Sequence, residues 1–208
     1  VDDARLVVLN ALDAHEHGAE VLTRWQCVDA RRGPGACNVE LKAATGESRR
    51  VKARALVNAA GPWVAQFLGE HAHMPPSRSV RLVKGSHIVV PKLFEHDQGY
   101  ALQAPDRRLI FMIPYEGDFT LIGTTDTEHR GPVSKANIDQ AEIAYLCEQA
   151  TRYMKRPTRP EDVVWSYAGV RPLLEDEAED PSAVTRDYEL DLDTHGAPLL
   201  SVWGGKIT

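Results

Sequence analysis

The chain has 208 residues, with 24 Lys and Arg against 30 Asp and Glu and a formal net charge of −6, so it is not a general electrostatic binder of nucleic acid. Hydrophobic residues at 43% and charged residues at 26% describe a folded chain rather than a disordered one. Three Cys, at 27, 37 and 147, form no CxxC; this argues against a disulfide scaffold or zinc ribbon and for a reducing, cytoplasmic setting. No apolar run is long enough to span a bilayer.

Asp2 or Asp3 can cap a helix through Arg5–Leu12 that stops near Gly18, with Leu6, Leu9, Ala11 and Leu12 as its apolar stripe. Glu20–Val28 and Cys37–Ala43 read as strands around a turn at Arg32-Gly33-Pro34-Gly35. Lys52–Asn58 suggests a buried strand, ending at Ala59-Ala60-Gly61-Pro62. Pro62 suits the first turn of a helix carrying Trp63, Val64, Phe67 and Leu68. The polar stretch His71–Arg78, with Pro75-Pro76, is a candidate domain boundary.

Beyond it, Val80–Val90, Gly99–Gln103, Leu109–Pro114 and Phe119–Gly123 read as strands, the last two as a hairpin. Ile138–Met154 has helical spacing. Val163–Val170, Thr185–Leu192 and Pro198–Trp203 complete the strands, and Glu175–Asp180 reads as a solvated loop. The pattern predicts an α+β fold, with a mostly antiparallel sheet after residue 78. Val1-Asp2-Asp3, without Met, and the Gly204–Thr208 end, without a polar tail, read as cuts through a longer protein.

Lys84-Gly85-Ser86-His87 interrupts an apolar strand. Buried charge needs a partner or a polar cavity, and a strand glycine often marks a close approach. His87 is therefore either a hydrogen-bonded core histidine or a proton acceptor lining a site. Gly123-Thr124-Thr125-Asp126 can orient a polar substrate or simply form a turn. Arg171 and Arg186 sit at strand edges and, with Lys206, would suit an anionic small molecule. Arg186 can equally pair with Asp187 or Asp191 on the surface. Gly61, Gly204 and Gly205 are places where backbone can approach a cofactor. The chain contains no GxGxxG, HExxH, GxSxG or P-loop, and its Cys and His spacing offers no metal set.

In order, Asn58-Ala59-Ala60-Gly61-Pro62-Trp63, Arg81–Pro91, Ile122-Gly123-Thr124-Thr125-Asp126, Tyr167–Leu173, Thr185-Arg186-Asp187-Tyr188 and Leu200–Thr208 resemble the FAD-dependent, quinone-linked glycerol-3-phosphate dehydrogenases of aerobic bacteria. The resemblance implies a glycine-oxidase-like flavoprotein architecture. Residues 1–72 and 191–208 would belong to a partial FAD-binding domain, and 73–190 to an antiparallel substrate-binding domain with flanking helices. It further implies that the parent enzyme oxidises sn-glycerol 3-phosphate to dihydroxyacetone phosphate, with hydride transfer to FAD and electrons passed to quinone.

By the same resemblance, His87, Arg171 and Lys206 are catalytic, Thr125 and Arg186 bind substrate, and Gly61, Gly204 and Gly205 contact FAD. The parent would be peripheral on the inner face of the plasma membrane, and a homodimer is compatible with it. The 208-residue chain alone is expected to hold no FAD and to be inactive. The competing readings are a related FAD-dependent amine or amino-acid oxidase and a non-catalytic anion-binding module.

Overall fold

The computed structural model describes residues 3–174 and 187–205. The chain divides into two compact units, one formed by Val1–Val80 with Arg186–Thr208 and the other by Arg81–Thr185.

The first unit opens with α1 (Asp3–Glu16), which ends where Gly18 adopts φ +93°. Its expected apolar stripe is not buried: Leu9 and Leu12 are exposed, Leu6 and Ala11 are half-buried, and no residue of the helix is buried. A three-stranded antiparallel sheet follows, β1 (Trp25–Gly33), β2 (Ala36–Ala43) and β3 (Ser48–Ala53), with a register shift between Cys27 and Asp29. The turn is tighter than Arg32–Gly35 and uses Pro34-Gly35, with Gly35 at φ +76°.

The expected strand Lys52–Asn58 is two strands. It breaks after Ala53, and β4 (Leu56–Asn58) joins a different sheet. That sheet has the order β11 (Tyr188–Asp193), β12 (Leu199–Gly204), β4, with β12 and β4 parallel and β11 antiparallel to β12. After β4, residues 61–71 coil through a 3₁₀ turn, a short α2 (Val64–Gln66) and a π turn rather than one regular helix. Arg32 links the unit's parts: its nearly buried guanidinium donates to the carbonyls of Asp193, His195 and Ala197.

Among the described residues the second unit is a six-stranded sheet backed by one α-helix. The strand order is β10 (Trp165–Leu174), β5 (Val80–Pro91), β8 (Phe119–Gly123), β7 (Leu109–Tyr115), β6 (Tyr100–Gln103), with β9 (Thr127–Glu128) paired to β5. The β5–β8–β7–β6 run is antiparallel throughout. α3 (Gln140–Tyr153) starts at an Asp139–Glu142 capping box, two residues inside the range its spacing predicts. Leu146, Cys147 and Ala150 of α3 pack on Ile88, Val90, Ile110, Met112 and Ile122 to make the core.

Side chains alternate across a strand, so this core uses one side of the sheet only. The other side carries Leu109, Phe111 and Ile113, each exposed by more than two fifths. Their exposure leaves an open apolar face on the sheet.

Candidate functional site

Strand alternation divides Lys84-Gly85-Ser86-His87 between the two sides of the sheet. Lys84 and Ser86 reach α3, while Gly85 and His87 face the open side. On that side His87 lies beside Gly123, its antiparallel partner, which pairs in turn with Phe111. A Cβ at 123 would fall 2.1 Å from His87 Cδ2, so the imidazole occupies space that only glycine leaves free. Tyr167 stacks on the ring, with centroids 4.9 Å apart and planes 5° from parallel.

Gly85 plays the same part for Arg171. A Cβ there would stand 2.5 Å from Arg171 Nη2 and 2.6 Å from Thr124 Oγ1. The guanidinium is oriented by two contacts, Nη1 to Asp126 Oδ1 at 2.5 Å and Nη2 to Thr124 Oγ1 at 3.1 Å. Burial, with the Arg171 charge adding to it, pushes the His87 pKa down to about 4. The ring is therefore neutral at pH 7, and its buried Nδ1 has no hydrogen-bond partner among the described residues. A neutral imidazole beside a fixed guanidinium, on an apolar floor, can exchange a proton with a hydroxyl while the cation attracts negative charge.

Thr125 is placed differently from the expectation of a substrate contact. It is 1% exposed, and its hydroxyl accepts from Ser86 N–H at 3.0 Å and donates to Glu142 Oε1 at 2.8 Å. Its neighbour Thr124 turns to the open side. Behind the sheet, Glu142 also accepts from Ser86 Oγ at 2.9 Å, from Asp139 N–H at 3.0 Å and from Lys84 Nζ at 2.8 Å. Burial raises the Glu142 pKa, but Lys84, the Asp139 N–H and the two hydroxyls outweigh it and hold the carboxyl below its usual range.

Sequence alone gives Tyr167 and Glu142 no role, and it gives Thr124 and Asp126 one only as members of the Gly123–Asp126 segment, without linking them to Arg171. The Asp139-x-x-Glu142 spacing ahead of the helix was the legible signal for Glu142. Its partner Ser86, 56 residues away, left none. Arg186 and Lys206 lie outside the described residues.

In the first unit β4 pairs with the first half of β12, so Asn58 at the carboxyl end of β4 stands opposite Ser201 while β12 runs on to Gly204. Parallel strands characteristically offer ligands their carboxyl ends. Asn58 is buried and shapes the loop after β4, donating to Val64 O at 3.0 Å and accepting from Ala60 N–H at 3.4 Å. Gly61 at φ +55° stands on the loop after β4, and Gly204 and Gly205, at φ +68° and +83°, end β12 and begin the chain beyond it. A Cβ on Gly61 would meet open space, so backbone is exposed to an approaching group. These loops fit a cofactor held along adjacent parallel strands. Among the described residues no cluster of His, Cys, Asp and Glu could hold a metal ion.

Comparison with known proteins agrees with this geometry. The family model for FAD dependent oxidoreductases matches residues 1–208. A glycerol-3-phosphate dehydrogenase of Pseudomonas aeruginosa is 50% identical over 100% of this chain and 41% of its own length. A D-erythritol 1-phosphate dehydrogenase of Brucella abortus is 53% identical over 100% of this chain and 42% of its own. Among solved structures, the glycerol-3-phosphate dehydrogenase from Bacillus halodurans complexed with FAD superposes with a TM-score of 0.82 at 30% identity, covering 100% of this chain and 40% of that one. The glycine oxidase of Geobacillus kaustophilus shares the fold, with a TM-score of 0.62 at 20% identity over 92% of this chain and 45% of that one. The chain thus spans about two fifths of the length of the curated relatives it matches. With a matching model over its whole length, the chain belongs to the FAD dependent oxidoreductase family.

Proposed function

We propose that this chain is part of a flavoenzyme that oxidises the secondary hydroxyl of sn-glycerol 3-phosphate, giving dihydroxyacetone phosphate. The observation that carries the reading is the open-face pair: a neutral, stacked His87 and an Arg171 fixed by Asp126 and Thr124. The unit formed by residues 1–80 and 186–208 would serve the cofactor, through Gly61, Gly204 and Gly205. The unit at 81–185 would serve the substrate. FAD, when bound, supplies the acceptor for the hydride of the alcohol carbon.

His87 takes the hydroxyl proton, a task open to it because desolvation keeps its ring unprotonated at neutral pH. Arg171 stabilises negative charge growing on the substrate oxygen or carried by its phosphate. The exposed Leu109, Phe111 and Ile113 side chains limit the water beside the reacting hydroxyl. Lys206 and Arg186 are assigned a second active-site cation and a phosphate contact, with the family resemblance as their support. Thr124, rather than Thr125, is the hydroxyl offered to substrate.

D-Erythritol 1-phosphate is a second candidate, favoured by the 53% identity to the Brucella abortus enzyme. It shares the phosphate and the adjacent secondary hydroxyl. Electron delivery to quinone, peripheral placement on the inner face of the plasma membrane and a homodimer belong to the same proposal, supported by kinship with the aerobic enzymes. Among the described residues no helix is long and apolar enough to cross a membrane.

The test is anaerobic mixing of the full-length holoenzyme with each polyol phosphate and with glycerol. Bleaching of the flavin absorbance by a phosphate ester and not by glycerol is expected. A flavin that neither ester bleaches would refute the reading. His87→Ala and Arg171→Ala should each lower kcat/KM at normal FAD content.

A further inference from the structure

We infer that Glu142 is a positioning residue for the open-face site: from the helix side of the sheet it fixes the two backbone segments whose opposite sides carry His87 and Arg171's partners. The inference rests on the reading of that face as the substrate side.

Two short segments meet at Glu142. Ser86, one residue before His87, donates its hydroxyl to Oε1. Thr125, between the Thr124 and Asp126 that hold Arg171, donates to the same oxygen. Ser86 and Thr125 also bond each other, Ser86 N–H to Thr125 Oγ1 at 3.0 Å and Thr125 N–H to Ser86 O at 3.4 Å. This pair lies just beyond the last register pair of β5 and β8, His87 with Gly123, and ties the chain after β8 back to β5.

The second carboxylate oxygen is anchored independently. Oε2 accepts from Lys84 Nζ and from the N-cap N–H of Asp139, and Lys84 donates further to Asn137 O at 3.0 Å. One buried carboxylate, 6% exposed, thereby joins strand β5, the 124–126 segment and the first turn of α3. Ser86 and His87 are neighbours on β5 and point to opposite sides of it, and Thr125 is bonded directly to Thr124 in the segment after β8, so a shift at Ser86 or Thr125 moves His87 and Thr124 directly. Glu142 itself touches neither His87 nor Arg171 in any of these bonds.

Gln at 142 keeps the volume but replaces one carboxylate oxygen with an N–H₂, so either the Lys84 ammonium and Asp139 N–H or the Ser86 and Thr125 hydroxyls lose their acceptor. Val at 125 keeps the shape and deletes the hydroxyl; Ser keeps the hydroxyl. The experiment uses the full-length holoenzyme and reads two quantities. One is kcat with sn-glycerol 3-phosphate or D-erythritol 1-phosphate. The other is the displacement of the His87 ring-proton NMR signals caused by the stacked Tyr167, a readout that needs no substrate.

Glu142→Gln and Thr125→Val should lose kcat by about 10- to 100-fold, the scale of an ångström misplacement. Flavin content should be normal and the ring-current displacement diminished, whereas Thr125→Ser should recover most of both. Variants that melt earlier yet keep kcat and the His87 signals would overturn the inference, since the cluster would then serve stability alone. Where Glu142→Gln gives no folded holoenzyme, the Thr125 pair decides. Should wild-type holoenzyme oxidise neither ester, the functional reading fails, and the His87 signals still decide whether Glu142 positions the ring.

Discussion

Gly123→Ala is the sharpest perturbation available. The added Cβ would lie 2.1 Å from His87 Cδ2 and 2.6 Å from its Cγ and Nε2, against the 3.4 Å where ordinary van der Waals contact begins. The imidazole must therefore recede by more than 1 Å. It cannot do so as the tip of a long flexible side chain does, because the clash includes Cγ and the ring is stacked on Tyr167. Overpacking of this kind costs about 1–3 kcal/mol of stability. Loss of a stacked pair adds about 1 kcal/mol. The larger effect falls on turnover, because misplacing a reacting group by an ångström costs about 100-fold. Steady-state kinetics of the full-length variant with sn-glycerol 3-phosphate, alongside its flavin content and urea midpoint, measure all of these. Wild-type kcat/KM with alanine at 123 would refute the placement of His87 at the chemical step.

The corresponding change at Gly85 should behave differently, because the atoms met by its Cβ include the far end of Arg171. Gly85→Ala should leave stability within about 1 kcal/mol while releasing the guanidinium, raising KM more than it lowers Tm; an unchanged KM would count against Arg171 as an anion contact. His87 makes folding pH-dependent. Its pKa of about 4 lies below the ordinary 6.5, so the unfolded chain takes up a proton first as pH falls. Stability should then decline from pH 6.5 towards 4, by about 1.4 kcal/mol per unit of depression at most, and His87→Asn should flatten that part of a urea-midpoint profile. Arg32→Met should destabilise the first unit by about 2 kcal/mol, because the carbonyls of Asp193, His195 and Ala197 lose their donor; a midpoint shift worth less than 0.5 kcal/mol, roughly the scatter of neutral surface changes, would show that water replaces it.

The second unit was the more legible part of the sequence. Leu109–Pro114 is apolar at every position although only alternate residues are buried, so the sequence shows a strand there without showing that one side of the sheet is uncovered. α3 was visible from its apolar spacing, reinforced by its capping box. Lys52–Asn58 misled because Ala53, Ala55, Leu56 and Val57 look like one buried run, although the strand breaks between them and Val57 is exposed. The α1 stripe misled in the opposite sense, since periodicity records a capacity for burial without specifying what covers the helix.

In the candidate site, His87 and Arg171 stood out as charged or titratable groups within apolar strands. The glycines that make room for them, and Tyr167 and Glu142, depend on contacts across the sheet or between sheet and helix. Such contacts form no local pattern. Lys84-Gly85-Ser86-His87 illustrates the limit: it was read as a single motif, but successive residues divide its work between a structural side and a chemical one.

That division has an evolutionary corollary. On the proposed function, exchanges at Phe111, Ile113 or Thr124 remodel what the site accepts without disturbing Ile110, Met112 or the carboxylate knot behind them. Divergence from one polyol ester to another could then proceed through alternate codons of the same strands, with the foundations inherited intact.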